Sequence, residues 1–279
     1  MSEPRPQPRS RRVLITGGSS GIGRATVERF ARGGDQVWFT YRTGQQRALA
    51  TVAELSAHGW DVEAFEFDQG NWSSHECLVQ QLPGQVDVLV NNAAVGSKSI
   101  EQYVPGPDRR REAAFLWINS VGPLWLIRQL LPGMLDQGHG TIVNVSSVGG
   151  GVAAFPGFEA ADGMSKAALA YLTKHLAAEL AHQPVGVFAI CPGAVDTTML
   201  QQSTLAGLPE QRRRDLEARL PQGRLIQPAE IAEVVWWLAS DEAQVLHGAV
   251  IDASMGLGSH PGLLTGWAEE DARATLRGE

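Results

Sequence analysis

Two charged side chains four residues apart, Asp162 and Lys166, are the most informative candidates for catalytic chemistry in this chain. They occur in the stretch Ala-Ala-Asp-Gly-Met-Ser-Lys-Ala-Ala-Leu at 160–169. An aspartate has a pKa of about 4 in water, and a neighbouring ammonium group lowers it further. Burial would raise the pKa of Asp162, but Lys166 opposes that rise. We therefore predict that Asp162 is ionised at pH 7 and does not donate a proton directly.

A glycine-rich loop near the N-terminus predicts a site for a phosphate group. Residues 16–23 read Thr-Gly-Gly-Ser-Ser-Gly-Ile-Gly, between an apolar run at 12–15 and a helix-forming stretch. Glycines let the backbone turn tightly and approach a pyrophosphate, and the following helix offers free N–H donors. This context favours a dinucleotide site over a purely structural loop. The predicted contacts are Gly17, Ser19, Ser20, Gly21, Ile22 and Gly23.

Apolar β-branched segments alternate with helix-forming segments along the chain. Predicted strands lie at 12–15, 36–41, 62–67, 86–90, 141–145, 186–190 and 249–251, and predicted helices at 25–32, 45–58, 112–131, 164–180 and 229–239. This order predicts an α/β fold with a Rossmann-like, doubly wound parallel sheet. We expect a single domain at 12–258, a disordered arm at 1–11 and a tail at 259–279. The segment at about 197–227 is a substrate lid or a solvated helix face.

Composition limits the possible partners. The 279 residues are 43% hydrophobic, and the formal net charge is −7. An acidic balance argues against nucleic acid and anionic membrane surfaces, although the arginines of the N-terminal arm leave a minor role in partner binding open. Cys77 and Cys191 lack metal-ligand spacing, so we expect no metal site, no disulfide framework and a cytoplasmic location. No apolar run has the length of a membrane span.

The glycine loop, Asn-Asn-Ala-Ala at 91–94 and Ser-Lys-Ala-Ala at 165–168 together resemble the short-chain dehydrogenase/reductase family. The resemblance covers about residues 11–256, is reinforced by Gln-Gly-Arg-Leu-Ile-Gln-Pro-Ala-Glu-Ile-Ala at 222–232, and fades beyond Asp252. In that family a Tyr-x-x-x-Lys pair performs the proton chemistry, and here Asp162 stands in the tyrosine's place. No tyrosine lies between Tyr103 and Tyr171, so no local shift of the alignment restores one.

The resemblance also implies roles for residues of a nicotinamide cofactor site. Tyr41 stands where NAD-preferring relatives carry an acid, and Arg42 follows it. Since a guanidinium binds a 2′-phosphate that an acid would repel, we expect NADP(H), with a solvent-facing Arg42 as the alternative. The remaining implied contacts are Asp68 at the adenine, the segment of Asn91, Asn92, Ala93 and Gly96, and Pro192, Gly193 and Thr197 at the carboxamide.

Four residues carry the catalytic roles that the resemblance implies. Asn119 would hold a water near the lysine, and Ser147, or Ser146 if the loop is shifted, would hydrogen-bond the substrate carbonyl. Lys166 would bind the nicotinamide ribose. Asp162 is the fourth member and the departure from the family.

Three functions remain compatible with this sequence. The first is an NADPH-dependent reductase of a ketone, enone or imine that takes its proton from water or from the substrate. The second is an NADP-binding regulatory or partner subunit without turnover, and the third is a lyase or isomerase that uses Asp162 and Lys166. Apolar residues near the implied cleft suggest a bulky apolar or aromatic substrate: Trp117, Phe155, Phe158, Met199 and Leu200. The resemblance also implies a homo-oligomer, a tetramer or dimer, assembled through the helices that carry Asn119 and Lys166.

Overall fold

Seven parallel strands form one sheet in the residues that the structure describes. The computed structural model describes residues 10–155 and 159–260. The strands lie in the order β3-β2-β1-β4-β5-β6-β7, and each neighbouring pair is parallel. Their bounds are β1 Arg12–Ile15, β2 Gln36–Tyr41, β3 Val62–Glu66, β4 Val88–Asn91, β5 Gly140–Val145, β6 Val185–Pro192 and β7 Val250–Ala253. The predicted α/β fold with one doubly wound sheet is confirmed.

Helices connect the strands and cover both faces of the sheet. Their bounds are α1 Gly21–Arg32, α2 Gln45–Ser56, α3 Trp72–Gln81, α4 Ser97–Tyr103, α5 Asp108–Leu116, α6 Gly122–Asp136, the single turn α7 Val148–Gly151, α8 Ala160–Glu179, the short α9 Thr198–Leu200, α10 Glu210–Arg219 and α11 Pro228–Leu238. Short π-helical segments occupy Trp117–Val121 and Gln201–Leu205, and 3-10 turns occupy Pro221–Gly223 and Asp241–Leu246.

The sequence placed several helix boundaries wrongly. The predicted helix at 25–32 begins at Gly21, and the one at 164–180 begins at Ala160, because their first turns contain small and polar residues without an apolar period. The helix predicted at 112–131 consists of α5, the π-helical segment and α6. The sequence did not predict α3 and α4, which are short and polar.

The strands near the centre of the sheet are buried on both faces, which explains their continuous apolar runs. In β1, Val13 and Ile15 pack into one core cluster, whereas Leu14 packs into a second cluster on the opposite face. This two-sided packing makes the central strands rigid supports for the loops at their carboxyl ends.

The order of the strands reverses between β1 and β4. The chain runs outward from β1 through β2 to β3, and then returns to β4 on the other side of β1. Ile15 of β1 is in register with Val90 of β4, so the loops after both strands begin side by side. Ligands of open α/β sheets bind at such a crevice.

The segment predicted as a lid has a small apolar core of its own. Leu205, Leu216, Leu220 and Leu225 are buried together in it. A parallel bridge between Val195 and Ile226 closes its base, with Asp196 N–H donating to the Ile226 carbonyl and Ile226 N–H to that of Ala194. The segment is therefore a structured unit with two adjacent attachment points.

Most of the predicted arm and tail, at 1–9 and 261–279, lies outside the described residues. Arg11, the last residue of the predicted arm, is among the described residues. Its side chain donates to the Asp35 carboxylate and to the Ala239 carbonyl oxygen, at 2.7 Å in the shortest bonds. Within the described residues no helix has the length and apolarity to cross a membrane, and no three acidic, histidine or cysteine side chains are grouped to hold a metal ion.

Candidate active site

Glycine is required at two positions of the turn between β1 and α1. Gly17 has a φ of +69°, and a Cβ atom there would lie 3.0 Å from the Cα of Ala93. A Cβ atom on Gly23 would lie only 2.2 Å from the carbonyl oxygen of Gly17. Because both neighbours are backbone atoms, a side chain at either position would push the turn out of place. The predicted loop is therefore present with the tight geometry that a phosphate cradle needs.

The N-terminus of α1 faces this loop without an anionic side chain of its own. Ser20 is the N-cap in extended conformation, its hydroxyl makes no capping bond, and the first turn of α1 contains no acid. The free N–H groups and the positive end of the helix dipole favour an anionic group. These features fit the pyrophosphate of a dinucleotide.

The loop after β4 is tied to the glycine loop. The Asn92 side chain donates to the carbonyl oxygens of Thr16 and Gly17 at 2.9 and 3.2 Å. The backbone N–H groups of Asn92 and Ala93 both donate to the Thr16 hydroxyl, at 3.0 and 2.9 Å. The structure thus brings Asn92 and Ala93 to the predicted site. Asn91 instead is buried and donates to Asn144 at 2.9 Å, so its side chain joins two strands.

Arg42 and Asp68 lie at the ends of β2 and β3, and the structure joins them through a residue that the sequence did not suggest. The Tyr103 hydroxyl donates to the Asp68 carboxylate at 2.6 Å, and the Arg42 guanidinium lies 4.4 Å from the centre of the Tyr103 ring. Tyr41 is buried in the core. Tyr103 ends α4, a helix that the sequence did not predict, so no local signal pointed to it.

The predicted carboxamide segment also reaches the glycine loop. Thr197 lies beside Gly21, since a Cβ atom on that glycine would be 3.1 Å from the Thr197 methyl group. The Thr197 hydroxyl accepts a bond from the Leu200 N–H and so caps α9. Pro192 ends β6, and Gly193 packs against Ser254. The structure therefore gives Thr197 a capping role as well as a place next to the loop.

Asn119 lies in the π-helical segment, a distortion often found at functional sites. Its Oδ1 accepts from the Val95 N–H at 2.8 Å, and its Nδ2 donates to the Val95 carbonyl oxygen and to the Ser165 hydroxyl. Ser165 in turn donates to the backbone carbonyl of Asp162. Asn119 thus links the loop after β4 to the first turns of α8.

The structure separates the roles of the two candidate serines. Ser146 is buried, and its hydroxyl donates to the backbone carbonyl of Lys166 at 2.8 Å, so it positions α8. Ser147 is half-buried and accepts from the Gly149 N–H at 3.2 Å. Ser147 therefore keeps its hydroxyl proton for another partner, as the predicted substrate contact requires.

Asp162 lies in the first turn of α8, one helical turn before Lys166. Its Oδ1 is buried and has no hydrogen-bond partner, and no ion pair joins it to Lys166 in the described structure. Burial raises the pKa of Asp162 above its ordinary value, and the nearby Lys166 charge only partly offsets this. Burial also lowers the pKa of Lys166, against the influence of Asp162 and Cys191. The expectation that Lys166 would hold the pKa of Asp162 down is therefore wrong, because desolvation is the larger effect.

A run of three glycines covers the start of α8. Gly150 has a φ of +92°, and a Cβ atom there would lie 2.1 Å from the Gly163 carbonyl oxygen. A Cβ atom on Gly151 would lie 2.6 Å from the Cys191 sulfur. The turn α7 therefore packs its bare backbone against α8 beside Asp162. These glycines were not predicted as site residues, although three consecutive glycines at 149–151 are a visible signal in the sequence.

The residues that suggested an apolar substrate have different surroundings. Trp117 is half exposed, donates to the Gly70 carbonyl and packs edge-to-face on Trp125, so it belongs to an outer aromatic cluster. Phe155 is buried against Val148. Met199 is exposed beside Gly96, and Leu200 packs into the lid core. Phe158 lies outside the described residues.

The chain is similar to known oxidoreductases over most of its length. A family model described as enoyl-(acyl carrier protein) reductase matches residues 17–258. The oxidoreductase YmfI of Bacillus subtilis is 31% identical over 245 residues, which cover 88% of this chain and 97% of that protein. The 3-oxoacyl-[acyl-carrier-protein] reductase FabG of Thermotoga maritima is 33% identical over 247 residues, with coverage of 88% and 96%.

Solved structures show the same architecture. A variant of the actinorhodin polyketide ketoreductase, solved with NADPH, superposes with a TM-score of 0.79 at 31% identity, covering 91% of this chain and 98% of that chain. A 3-oxoacyl-[acyl-carrier protein] reductase from Brucella melitensis, solved with NAD, gives a TM-score of 0.76 at 29% identity, with coverage of 92% and 97%. NADPH and NAD therefore both occur as bound cofactors among structures similar to this chain.

Proposed function

Because this chain belongs to the short-chain dehydrogenase/reductase family, we propose that it is an NADPH-dependent reductase in which Asp162 replaces tyrosine as the proton source. The observation that carries the proposal is the Asp162 carboxyl itself. It is held in the first turn of α8 with a buried, unpartnered oxygen and a raised pKa. A carboxyl in that state can hold a proton that an exposed aspartate would lose.

The fit of the cofactor rests on the glycine loop and its neighbours. Gly17 and Gly23 keep the turn free of side chains, and the N-terminus of α1 supplies donors for a pyrophosphate. The other residues proposed to hold the cofactor are Ser19, Ser20, Gly21, Ile22, Tyr41, Arg42, Asp68, Asn92, Ala93, Lys166, Pro192, Gly193 and Thr197. When bound, NADPH would supply a hydride to the electrophilic carbon of the substrate.

The protein groups supply the proton and the orientation. Asp162, directly or through one water, gives its proton to the oxygen or nitrogen that becomes anionic, and then regains a proton from solvent. Ser147 has a hydroxyl proton free to hydrogen-bond the same oxygen. Lys166, whose pKa burial lowers, is the residue proposed to bind the nicotinamide ribose, and Asn119 anchors the start of α8 through Ser165.

The proposed substrate is a ketone, enone or imine with bulky apolar or aromatic groups. Exposed Met199 and the adjoining lid provide apolar surface beside the loop after β4. Relatives named as acting on acyl and polyketide carbonyls support the carbonyl class, for example the acetoacetyl-CoA reductase of Rhizobium meliloti, which is 34% identical over 251 residues.

We also propose that the protein is a cytoplasmic homo-oligomer. Met164 and Tyr171 of α8 are 57% and 70% exposed, which is a large apolar area for a free helix face. A second copy packed against α8 would cover them.

The test is an NADPH titration by fluorescence, followed by turnover of a panel of aromatic ketones, enones and cyclic imines. We expect binding with micromolar affinity and oxidation of NADPH by at least one panel member. Tight binding without any turnover would favour the alternative of an NADP-binding protein without redox activity. Absence of binding would overturn the proposal altogether.

A further inference from the structure

A cluster of three side chains lies at the carboxyl edge of β2 and β3. Arg42 follows β2, Asp68 follows β3, and Tyr103 reaches them from the end of α4. The family resemblance implies contacts of Arg42 and Asp68 with a ligand only. The structure shows that both already share one neighbour.

Tyr103 is held firmly in this cluster. Its hydroxyl donates to Asp68 Oδ1 at 2.6 Å, and the Gly70 N–H donates to the same oxygen at 3.0 Å. A Cβ atom on Gly70 would lie 2.4 Å from the Tyr103 hydroxyl oxygen, so the close approach depends on that glycine. Burial and the Asp68 carboxylate raise the pKa of Tyr103, which therefore stays a protonated donor.

Arg42 depends on Tyr103 for its position. Its guanidinium stacks 4.4 Å from the centre of the Tyr103 ring and is otherwise exposed. In the described part of the chain no carboxylate forms an ion pair with Arg42, although many other arginines have such a partner. A guanidinium supported by a ring and free of a carboxylate is ready to bind an anion.

A second cationic group lies at the same edge. Arg47 folds back over Gly44, the N-cap of α2, since a Cβ atom on that glycine would be 2.7 Å from an Arg47 nitrogen. Gly44 has a φ of +82°, and the first turn of α2 has no acid. Arg47 and the N-terminus of α2 therefore follow Arg42 within a few residues of the chain and add positive charge to this edge of the sheet.

We propose that Tyr103 is a cofactor-selectivity residue, which fixes Arg42 for a 2′-phosphate by bonding Asp68 and stacking under the guanidinium. The inference rests on the proposed function in placing the adenosine end of the cofactor at this edge. It adds a residue from α4, outside the glycine loop and outside β2, to the recognition of the phosphate.

The test uses adenosine 2′,5′-bisphosphate and 5′-ADP as probes, so that no turnover is needed. Calorimetric titration of the full chain would compare the wild type with Tyr103→Phe and Tyr103→Leu. Tyr103→Leu removes the ring that stacks on Arg42. We expect this variant to bind adenosine 2′,5′-bisphosphate about 5- to 10-fold more weakly and 5′-ADP less than about 2-fold more weakly than the wild type. Tyr103→Phe keeps the ring and should lose about 2- to 3-fold for the first probe.

Tyr171→Phe is the control, because that exposed tyrosine lies on α8, far along the chain from the cluster, and we expect no change with it. Thermal unfolding of each variant reports whether it is folded. An equal loss for both probes, or tighter binding by Tyr103→Leu, would overturn the inference, the second because the ring would then occupy the place of the ligand. Absence of binding by the wild type would also overturn it. Selective binding without NADPH turnover would support it while contradicting the reductase.

Discussion

The glycine loop and the start of α8 are built in opposite ways. In the loop, the two polar side chains that tie the turn together have partners: Thr16 accepts from two N–H groups, and Asn92 donates to two carbonyls. At the start of α8, the buried Oδ1 of Asp162 has no hydrogen-bond partner. Hydrogen bonds fix the shape of a turn, whereas a buried polar atom without a partner is costly and is one of the features found at catalytic sites. We therefore expect that the proposed cofactor binding and the proposed proton transfer can be disrupted separately.

The largest effect is expected from Gly23→Ala, which attacks the loop. The new Cβ atom would meet the Gly17 carbonyl oxygen, so we expect a loss of about 3 kcal/mol in the free energy of unfolding and of measurable NADPH binding. Urea unfolding and fluorescence titration would check both. Gly133→Ala is the matched control, since its Cβ atom would meet nothing closer than 3.8 Å. A normal affinity in Gly23→Ala would contradict the tight-turn argument.

The next effect is expected from Asp162→Asn, which removes only the proposed proton source. It should reduce kcat by about 10²- to 10⁴-fold, the usual contribution of a general acid, with the NADPH dissociation constant nearly unchanged. Steady-state kinetics and NADPH titration would separate the two quantities. Glu159→Gln removes an exposed carboxylate at the N-cap of the same helix and should change kcat less than about 3-fold. Equal losses in both variants would remove the special role of Asp162.

The pH dependence sharpens the same contrast. Because burial raises the pKa of Asp162 and the protonated form is the donor, kcat should be highest at low pH and fall as pH rises through that raised value. Burial also penalises the carboxylate form in the folded protein. The free energy of unfolding should therefore fall as pH rises from the ordinary Asp pKa of 3.8 through the raised pKa of Asp162. Asp162→Asn should lose both dependences, as kinetics and urea unfolding from pH 5 to 9 would show. A pH-independent kcat in the wild type would argue against Asp162 as the donor.

The smallest effect concerns the buried hydrogen bonds that link the loop after β4 to the π-helical segment. Gln69 donates to the Ala93 and Ile118 carbonyls, and fully buried His75 bonds the Gln69 carbonyl. Burial lowers the pKa of His75 below its ordinary value of 6.5, so its contribution to stability is full above that value and is lost as pH falls below it toward the lowered value. The urea midpoint of the wild type should therefore fall between pH 7.5 and 5.5 more than that of His75→Phe. Parallel changes in both proteins would refute this.

Residues with local signals were identified well from the sequence. The glycine loop follows an apolar strand and precedes a helix, so Gly17 and Gly23 were predicted and the structure shows why they are glycine. The α/β alternation predicted the sheet for the same reason, because apolar periodicity is a local property. The catalytic roles of Asn119, Ser147, Asp162 and Lys166 stay predictions, and the structure links Asn119 to the backbone of Asp162 through Ser165.

Residues whose role depends on distant neighbours were not identified. Tyr103 gains its place only when α4 brings it to Arg42 and Asp68, and Asn91 proved to be a link between strands. The predicted direction of the Asp162 pKa shift was wrong, because the sequence shows the charge of Lys166 but not how deeply Asp162 is buried.

The sequence by itself determined the fold class, the place of the glycine loop between β1 and α1, and the presence of an aspartate four residues before Lys166. These follow from apolar period, backbone freedom and residue type, which are local. Only the tertiary structure decided how Asp162 behaves, which serine has a free hydroxyl proton and which residue supports Arg42. Those properties depend on desolvation and on hydrogen bonds between segments far apart in the chain, and they exist only once the chain has folded.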